Sequence, residues 1–382
     1  MILSDVKIVL DYRIIEHGSV KIVDKYIDEI YEEVITEGDT EIINCHNQIL
    51  MPGFIDPHTH GTNGVDYMNA KVEDFKIACD ALYKEGVTTF LATTLTSTKE
   101  KILNAIKNIK EASKLNPSLY GIHLEGPYIN KKYSGAQNPE YIRPIDLDEL
   151  NEFLKAGEVY VRSITIAPEC SPNTKEAIKL LRRNNVVVSA GHSDATFNDI
   201  EEAIKHGLTN LTHVHNAMSP YSHKRPGMVV AGMYFDTLYS ELICDFVHVE
   251  KDVLETYYKI VGPNRFMIIT DSLSPKNTKE KEFIMEGMDV VNKGNALYLK
   301  TGPLAGSVLS MDKGLRNMEE LCHINLMDLA KISSFNQSKS LGLTDRGAIK
   351  EGLLADLVLL DSTLHVLETF KEGKIVYKKD GN

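Results

Sequence analysis

Six side chains of the kind that hold metal ions stand at the ends of apolar runs in this chain. His58 and His60 lie two residues apart in "PGFIDPHTHGTNG", a spacing that turns both imidazoles to one side of an extended strand. Glu125 ends "LYGIHLE", His192 ends "VVVSAGH", His213 falls in "LTNLTHV" and Asp271 in "FMIITDS". Four imidazoles and two carboxylates, with no thiolate, suit Zn2+ or Fe2+ better than Ca2+ or Mg2+, which take all-oxygen shells. Such an ion brings the pKa of bound water to about 7 and polarises a carbonyl oxygen, so the predicted chemistry is hydrolysis. No serine or cysteine nucleophile motif competes with it.

Residues so far apart in the chain meet only if the elements beneath them converge. Eight apolar runs suit buried parallel strands: "FIDPH", "VTTFLATT", "LYGIHLE", "VRSITIAPE", "VVVSAGH", "LTNLTHV", "ELICDFV" and "FMIITDS". Helix-like segments such as "TKEAIKLLRRN" and "NDIEEAIKHG" lie between most of them. Eight alternations predict a (β/α)8 barrel, an α/β fold whose strands present their carboxyl ends on one face, where active sites sit. The short strands "VKIVL", "SVKIV", "IDEIYEEV" and "TEIINC" precede this region, and "ADLVLLD" and "GKIVYKKDG" follow it. Neither end suffices for a buried domain alone. The expected organisation is therefore a small β-sandwich from residues 1–51 together with 346–382, and a metallohydrolase barrel over 52–345.

Composition narrows the partners. With 42 basic and 54 acidic side chains the net charge is −12, which disfavours a nucleic-acid surface and leaves room for a small anionic ligand held by local cations. The hydrophobic fraction of 43% is that of a globular protein with a large core. The five cysteines (Cys45, Cys79, Cys170, Cys244, Cys322) are scattered without CxxC pairs, as expected of a reducing, cytoplasmic setting. The N-terminal "MILSDVKIVLDYR" has no signal-peptide core, and no run approaches the ~18 apolar residues that span a membrane.

A set of strings in fixed order is more specific than any of these features. "PGFIDPHTHG", "GVTTFLATT", "HLEGPYIN", "GAQNPEYI", "AGHSDA", "THVHNAMSP", "RPGMV", "TDS", "LAGSVLSMD" and "GAIKEGLLADLVLLD" together resemble the amidohydrolase superfamily, and within it the N-acetylglucosamine-6-phosphate deacetylases. The resemblance implies one or two divalent ions held by His58, His60, Glu125, His192, His213 and Asp271, with Glu125 bridging. It implies that Asp271 takes a proton from the attacking water and passes it to the leaving nitrogen. Arg225 and His248 are the implied phosphate contacts, and Ala136, Gln137, Asn216, Ala217, Leu304, Ala305 and Gly306 the implied lining of the sugar and acetamide pocket.

Gln137 stands where members of the family often carry His, so an amide takes the place expected to donate to the acyl oxygen. His215 and His123 share strand faces with His213 and Glu125 and are read as packing or support behind the ligands. The implied partner is an amino-sugar phosphate, and the implied assembly a homodimer. N-acetylgalactosamine 6-phosphate is the nearest alternative substrate. Cyclic-amide or dipeptide hydrolysis, or a barrel that binds without turnover, are more distant readings.

Overall fold

The computed structural model describes residues 1–380, so Gly381 and Asn382, the last of the predicted tail, lie outside the described residues. All eight predicted runs form strands of one parallel sheet, in chain order: Phe54–Thr59, Val87–Thr94, Leu119–Glu125, Val161–Ile166, Val187–Ala190, Asn210–Leu211, Tyr239–Ile243 and Phe266–Ile269. These strands are buried almost throughout, as parallel strands covered by helices must be. Three of the intervening helices start where a side chain accepts free N–H groups of the first turn. Thr98 caps Lys99–Ser113, Asp146 caps Leu147–Gly157, and Thr196 with Asp199 forms a reciprocal box before Phe197–His206.

The ring closes between its first and last strands through the segments that follow them. The Asp271 amide donates to the His58 carbonyl at 2.9 Å, and the His60 and Gly61 amides donate to Ser272 at 2.8 and 3.0 Å. Asn63 to Lys276 and Gly64 to Ser274 extend the seam. Below it, the buried Lys276 ammonium donates to Glu85 at 2.9 Å, tying the segment after the eighth strand to the end of helix Phe75–Tyr83.

Both chain ends contribute to a second, seven-stranded sheet, as expected of the small β domain. Strand Ile42–Pro52 is its junction: it runs parallel to Ile2–Val9 on one side and antiparallel to Leu357–Leu360 on the other. Leu3, Val6, Ile8, Leu50, Leu357, Leu359 and Phe370 form its separate apolar core. Two features depart from the predicted elements. A further strand, Val366–Lys371, lies between the two anticipated in the tail. A four-stranded antiparallel sheet, Glu282–Met285, Met288–Asn292, Leu297–Leu299 and Leu304–Gly306, follows the eighth barrel strand. Its first turn, Glu286-Gly287, has positive φ at both residues, the two-residue hairpin geometry that matches strand twist.

Breaking a buried ion pair by removing one partner leaves a stranded charge. Lys276→Met is expected to destabilise the protein by about 3–5 kcal/mol, read as a lower denaturant midpoint. Glu85→Leu combined with Lys276→Met should recover part of that loss. A single variant as stable as the parent would show that the pair does not hold the seam.

Candidate metal centre

The carboxyl ends of the strands bring all six predicted ligands together in two buried triads, His58–His60–Asp271 and Glu125–His192–His213. In the first, His58 Nε2 and His60 Nε2 lie 3.3 Å apart, and Asp271 Oδ1 is 3.4 and 3.2 Å from them. In the second, Glu125 Oε1 is 3.1 Å from His192 Nε2 and 3.0 Å from His213 Nε2, and those two nitrogens are 3.0 Å apart. Glu125 also faces the first triad, with Oε1 at 3.4 Å from His58 and Oε2 at 3.2 Å from His60. It stands between the two groups, as a bridging carboxylate does.

These spacings fit a metal. A tetrahedral shell with metal–ligand distances of about 2.0–2.1 Å has edges of about 3.3 Å. The hydrogen bonds behind the rings point the same way. His192 Nδ1 donates to the Tyr133 carbonyl at 2.9 Å and His58 Nδ1 faces Glu241 Oε2 at 3.2 Å, which leaves each Nε2 as the lone-pair nitrogen. Lone pairs turned toward one another at about 3 Å repel unless a cation stands between them.

The acid–base balance carries the same signature. Burial pushes His60 down, but Asp271 and Glu125 outweigh it and raise its pKa to about 9. Burial likewise opposes charge on His58, yet Glu125 and Asp271 hold it well above its ordinary value. Burial favours a neutral Glu125, but His58 and His192 hold it well below the usual carboxylate range. A divalent ion held here would supply the positive charge that these carboxylates otherwise draw from protons on the rings.

Backbone strain accompanies the cluster. His192, His213, Ala217 and Asp271 have φ of 47°, 31°, 46° and 48°, a left-handed conformation that costs a non-glycine residue about 1–3 kcal/mol and persists where the surroundings over-determine it. Asp271 is pinned on both sides, its amide on His58 and its carbonyl accepting from Ser307 at 2.9 Å.

A cavity of about 220 Å3 opens onto the triads. His60, Glu125, His192, His213 and Asp271 form its floor, and the predicted Ala136, Gln137, Asn216, Ala217, His248, Leu304, Ala305 and Gly306 all line it. His248 is oriented by Asp245, whose Oδ2 lies 2.7 Å from Nδ1, leaving Nε2 as its free nitrogen. Gln137 is more committed than expected. Its carbonyl accepts from Thr96 N at 2.7 Å and its amide donates to Glu125 Oε2 at 2.6 Å, so it fixes the bridging carboxylate and keeps one proton to spare.

Arg225 is not brought to this cavity. It is exposed on the neighbouring surface, with Nη1 3.2 Å from Asp194 Oδ1, and Lys132 pairs with the same carboxylate at 2.9 Å. His215 also departs from its predicted place on a strand face shared with His213. The sixth strand ends at Leu211, and the turn beyond it sends His215 edge-on against Tyr257, where burial lowers its pKa to about 4. His123 does sit beneath Glu125 on one strand, packed edge-on against His58 and 2.8 Å from Thr165 Oγ1. Glu241, Asp245 and Asp56 were not anticipated. Their only sequence signal is a carboxylate within or just after an apolar strand run, at positions where burial needs a partner.

Comparison with known proteins decides the family: residues 49–376 match the Amidohydrolase family. The chain belongs to the amidohydrolase family. It is similar to an N-acetylglucosamine-6-phosphate deacetylase of Bacillus subtilis (strain 168), 34% identical over 385 residues that cover 99% of this chain and 97% of that one. The crystal structure of an N-acetylglucosamine-6-phosphate deacetylase from Thermotoga maritima superposes with a TM-score of 0.90 at 37% identity, over 99% of this chain and 100% of that one. A Mycobacterium smegmatis N-acetyl-D-glucosamine-6-phosphate deacetylase variant, solved in complex with N-acetyl-D-glucosamine-6-phosphate, superposes at 0.94 with 27% identity over 99% of each chain. This amidohydrolase thus shares its full length with those relatives.

Glu125 belongs to one triad and faces the other. Glu125→Ala should weaken metal binding at both positions at least about tenfold, read as metal content after purification without chelators. Undiminished content would remove Glu125 from the centre.

Proposed function

We propose that this amidohydrolase hydrolyses the N-acetyl amide of N-acetylglucosamine 6-phosphate to glucosamine 6-phosphate and acetate. The observation that carries the reading is a cavity floored by five of the six triad residues, Asp271 among them, with an oriented His248 in its wall. The full-length likeness to deacetylases of that specificity supports it. The six ligands hold the ion or ions, which when bound acidify water to a pKa of about 7 and polarise the amide carbonyl.

Asp271 supplies the proton traffic. Burial works against its charge, but His58 and His60 keep it below the usual carboxylate range, so it presents a base. Its carboxylate takes the proton of the attacking water and returns it to the amine nitrogen as the C–N bond breaks. Gln137 directs its remaining amide proton to the acyl oxygen while steadying Glu125. Asn216, Ala217 and the 304–306 strand hold the sugar ring. His248 receives the phosphate from inside the cavity, and Arg225 joins it by exchanging Asp194 for the phosphate, a pairing suited to the forked guanidinium.

The donor set favours Zn2+ or Fe2+. The five unpaired cysteines support a cytoplasmic setting, and among the described residues no helix is long and apolar enough to cross a membrane. The exposed Tyr221 near Arg225 marks an edge where a second copy would complete the phosphate site as a homodimer, which sedimentation measures.

Acetate release from N-acetylglucosamine 6-phosphate, N-acetylgalactosamine 6-phosphate and unphosphorylated N-acetylglucosamine tests the reading. The first substrate is expected to be fastest, and equal rates with and without phosphate would take His248 and Arg225 out of recognition. Asp271→Asn is expected to lower kcat by about 10²–10⁴-fold with metal retained. Near-normal turnover would remove Asp271 from the proton path.

A further inference from the structure

Glu241 belongs to none of the expected ligands, yet it lies in the seventh barrel strand with its side chain buried directly behind His58. Its Oε2 is 3.2 Å from His58 Nδ1. Among the described residues, His58 is its only ion-pair partner, and no lysine or arginine reaches it. A lone carboxylate in such a place is costly unless positive charge lies near.

Charge around the cluster is consistent with this. Glu125, Asp271 and Glu241 each lie within 3.4 Å of an imidazole nitrogen of the triads, bringing three negative charges. One divalent ion leaves a single negative charge uncompensated. Two leave one positive charge facing an anionic substrate.

The two imidazoles of the first triad are also unequal. His60 Nδ1 is buried without a hydrogen-bond partner, whereas His58 is held by Glu241 and wedged edge-on against His123, ring centroids 4.6 Å apart. The fixed nitrogen sets which way His58 presents its Nε2 lone pair.

We propose that Glu241 is the positioning residue of the second ion: by holding His58 Nδ1–H it makes the His58–His60–Asp271 triad a metal position in its own right, beside Glu125–His192–His213. The assignment rests on the metal-centre reading. Glu241 touches neither substrate nor the reacting atoms.

Zn2+ titrated into the chelator-stripped full chain, in competition with a chromophoric chelator, tests it. The parent is expected to take two ions. Glu241→Leu should keep one at parental affinity and bind the other about 10–100-fold more weakly. Glu241→Gln, whose amide oxygen still accepts from Nδ1–H, should fall between, a rescue that a purely structural role would not produce. The thermal melt of the stripped variants controls for folding, and if Glu241→Leu fails to fold, Glu241→Gln decides alone.

A parent that takes one ion, two ions held by Glu241→Leu at parental affinity, or equal weakening of both would each overturn the proposal, as would an unchanged second affinity in Glu241→Gln. Acetate release by the two-ion parent is measured separately. Its failure would sink the deacetylase reading and leave the role of Glu241 standing.

Discussion

The barrel is closed by the same residues that build one half of the candidate metal centre. The Asp271 amide on the His58 carbonyl, and the His60 amide on Ser272, join the first strand to the segment after the last. Ring closure and ligand placement are therefore one constraint. A parallel barrel leaves no free edge, so each strand end is fixed by neighbours on both sides. Two segments distant in sequence, one carrying His58 and His60 and the other Asp271, thereby acquire a shared geometry. The left-handed backbone at Asp271 is tolerable for the same reason, since hydrogen bonds on both sides of the residue hold it there.

Placing four imidazoles and two carboxylates in so dry a floor creates an electrostatic problem that the fold does not solve with lysine or arginine. Instead, the imidazoles hold Glu125 and Asp271 in their charged form, and the carboxylates in turn drive His58 and His60 toward theirs. A divalent ion satisfies the same carboxylates while leaving the rings neutral. The site is thus a compromise between proton and metal, and the polar groups behind it favour metal by aiming lone pairs inward.

Much of this was readable in the sequence, because parallel barrel strands are continuous apolar runs and a ligand at a run's end interrupts them. All eight strands fall where those runs predict, and the six candidate ligand side chains gather at or just beyond their carboxyl ends. What escaped had no periodic signal. The turns after the fifth and sixth strands carry His192, His213 and His215 in left-handed conformations, so alternation beyond Leu211 misassigned His215 to the face of His213. The antiparallel sheet at 282–306 is short-stranded and half exposed, with Ile284 turned to solvent, and its alternation is weak. Glu241 reads as an ordinary strand carboxylate until the barrel closes around it. Arg225 is at its expected sequence position, but its pairing with Asp194 depends on a loop contact that no local pattern encodes.

The same supporting logic recurs across the cavity, and it separates chemistry from recognition. Residues proposed to meet the reacting amide are backed by buried partners from strands or short turns: Gln137 behind Glu125, Tyr133 behind His192, Ser307 behind Asp271. On the recognition side, His248 is fixed by Asp245, but the Arg225 guanidinium lies on an exposed loop, held by a solvent-screened pair worth about 0–1 kcal/mol and a 3.3 Å hydrogen bond to the Asp194 carbonyl. So small a tether is readily exchanged for a phosphate, whereas the floor is over-determined by ring closure. Rigidity is thus concentrated where proton and carbonyl must be placed within a fraction of an ångström. Adaptability lies with the groups proposed to hold the far end of the sugar.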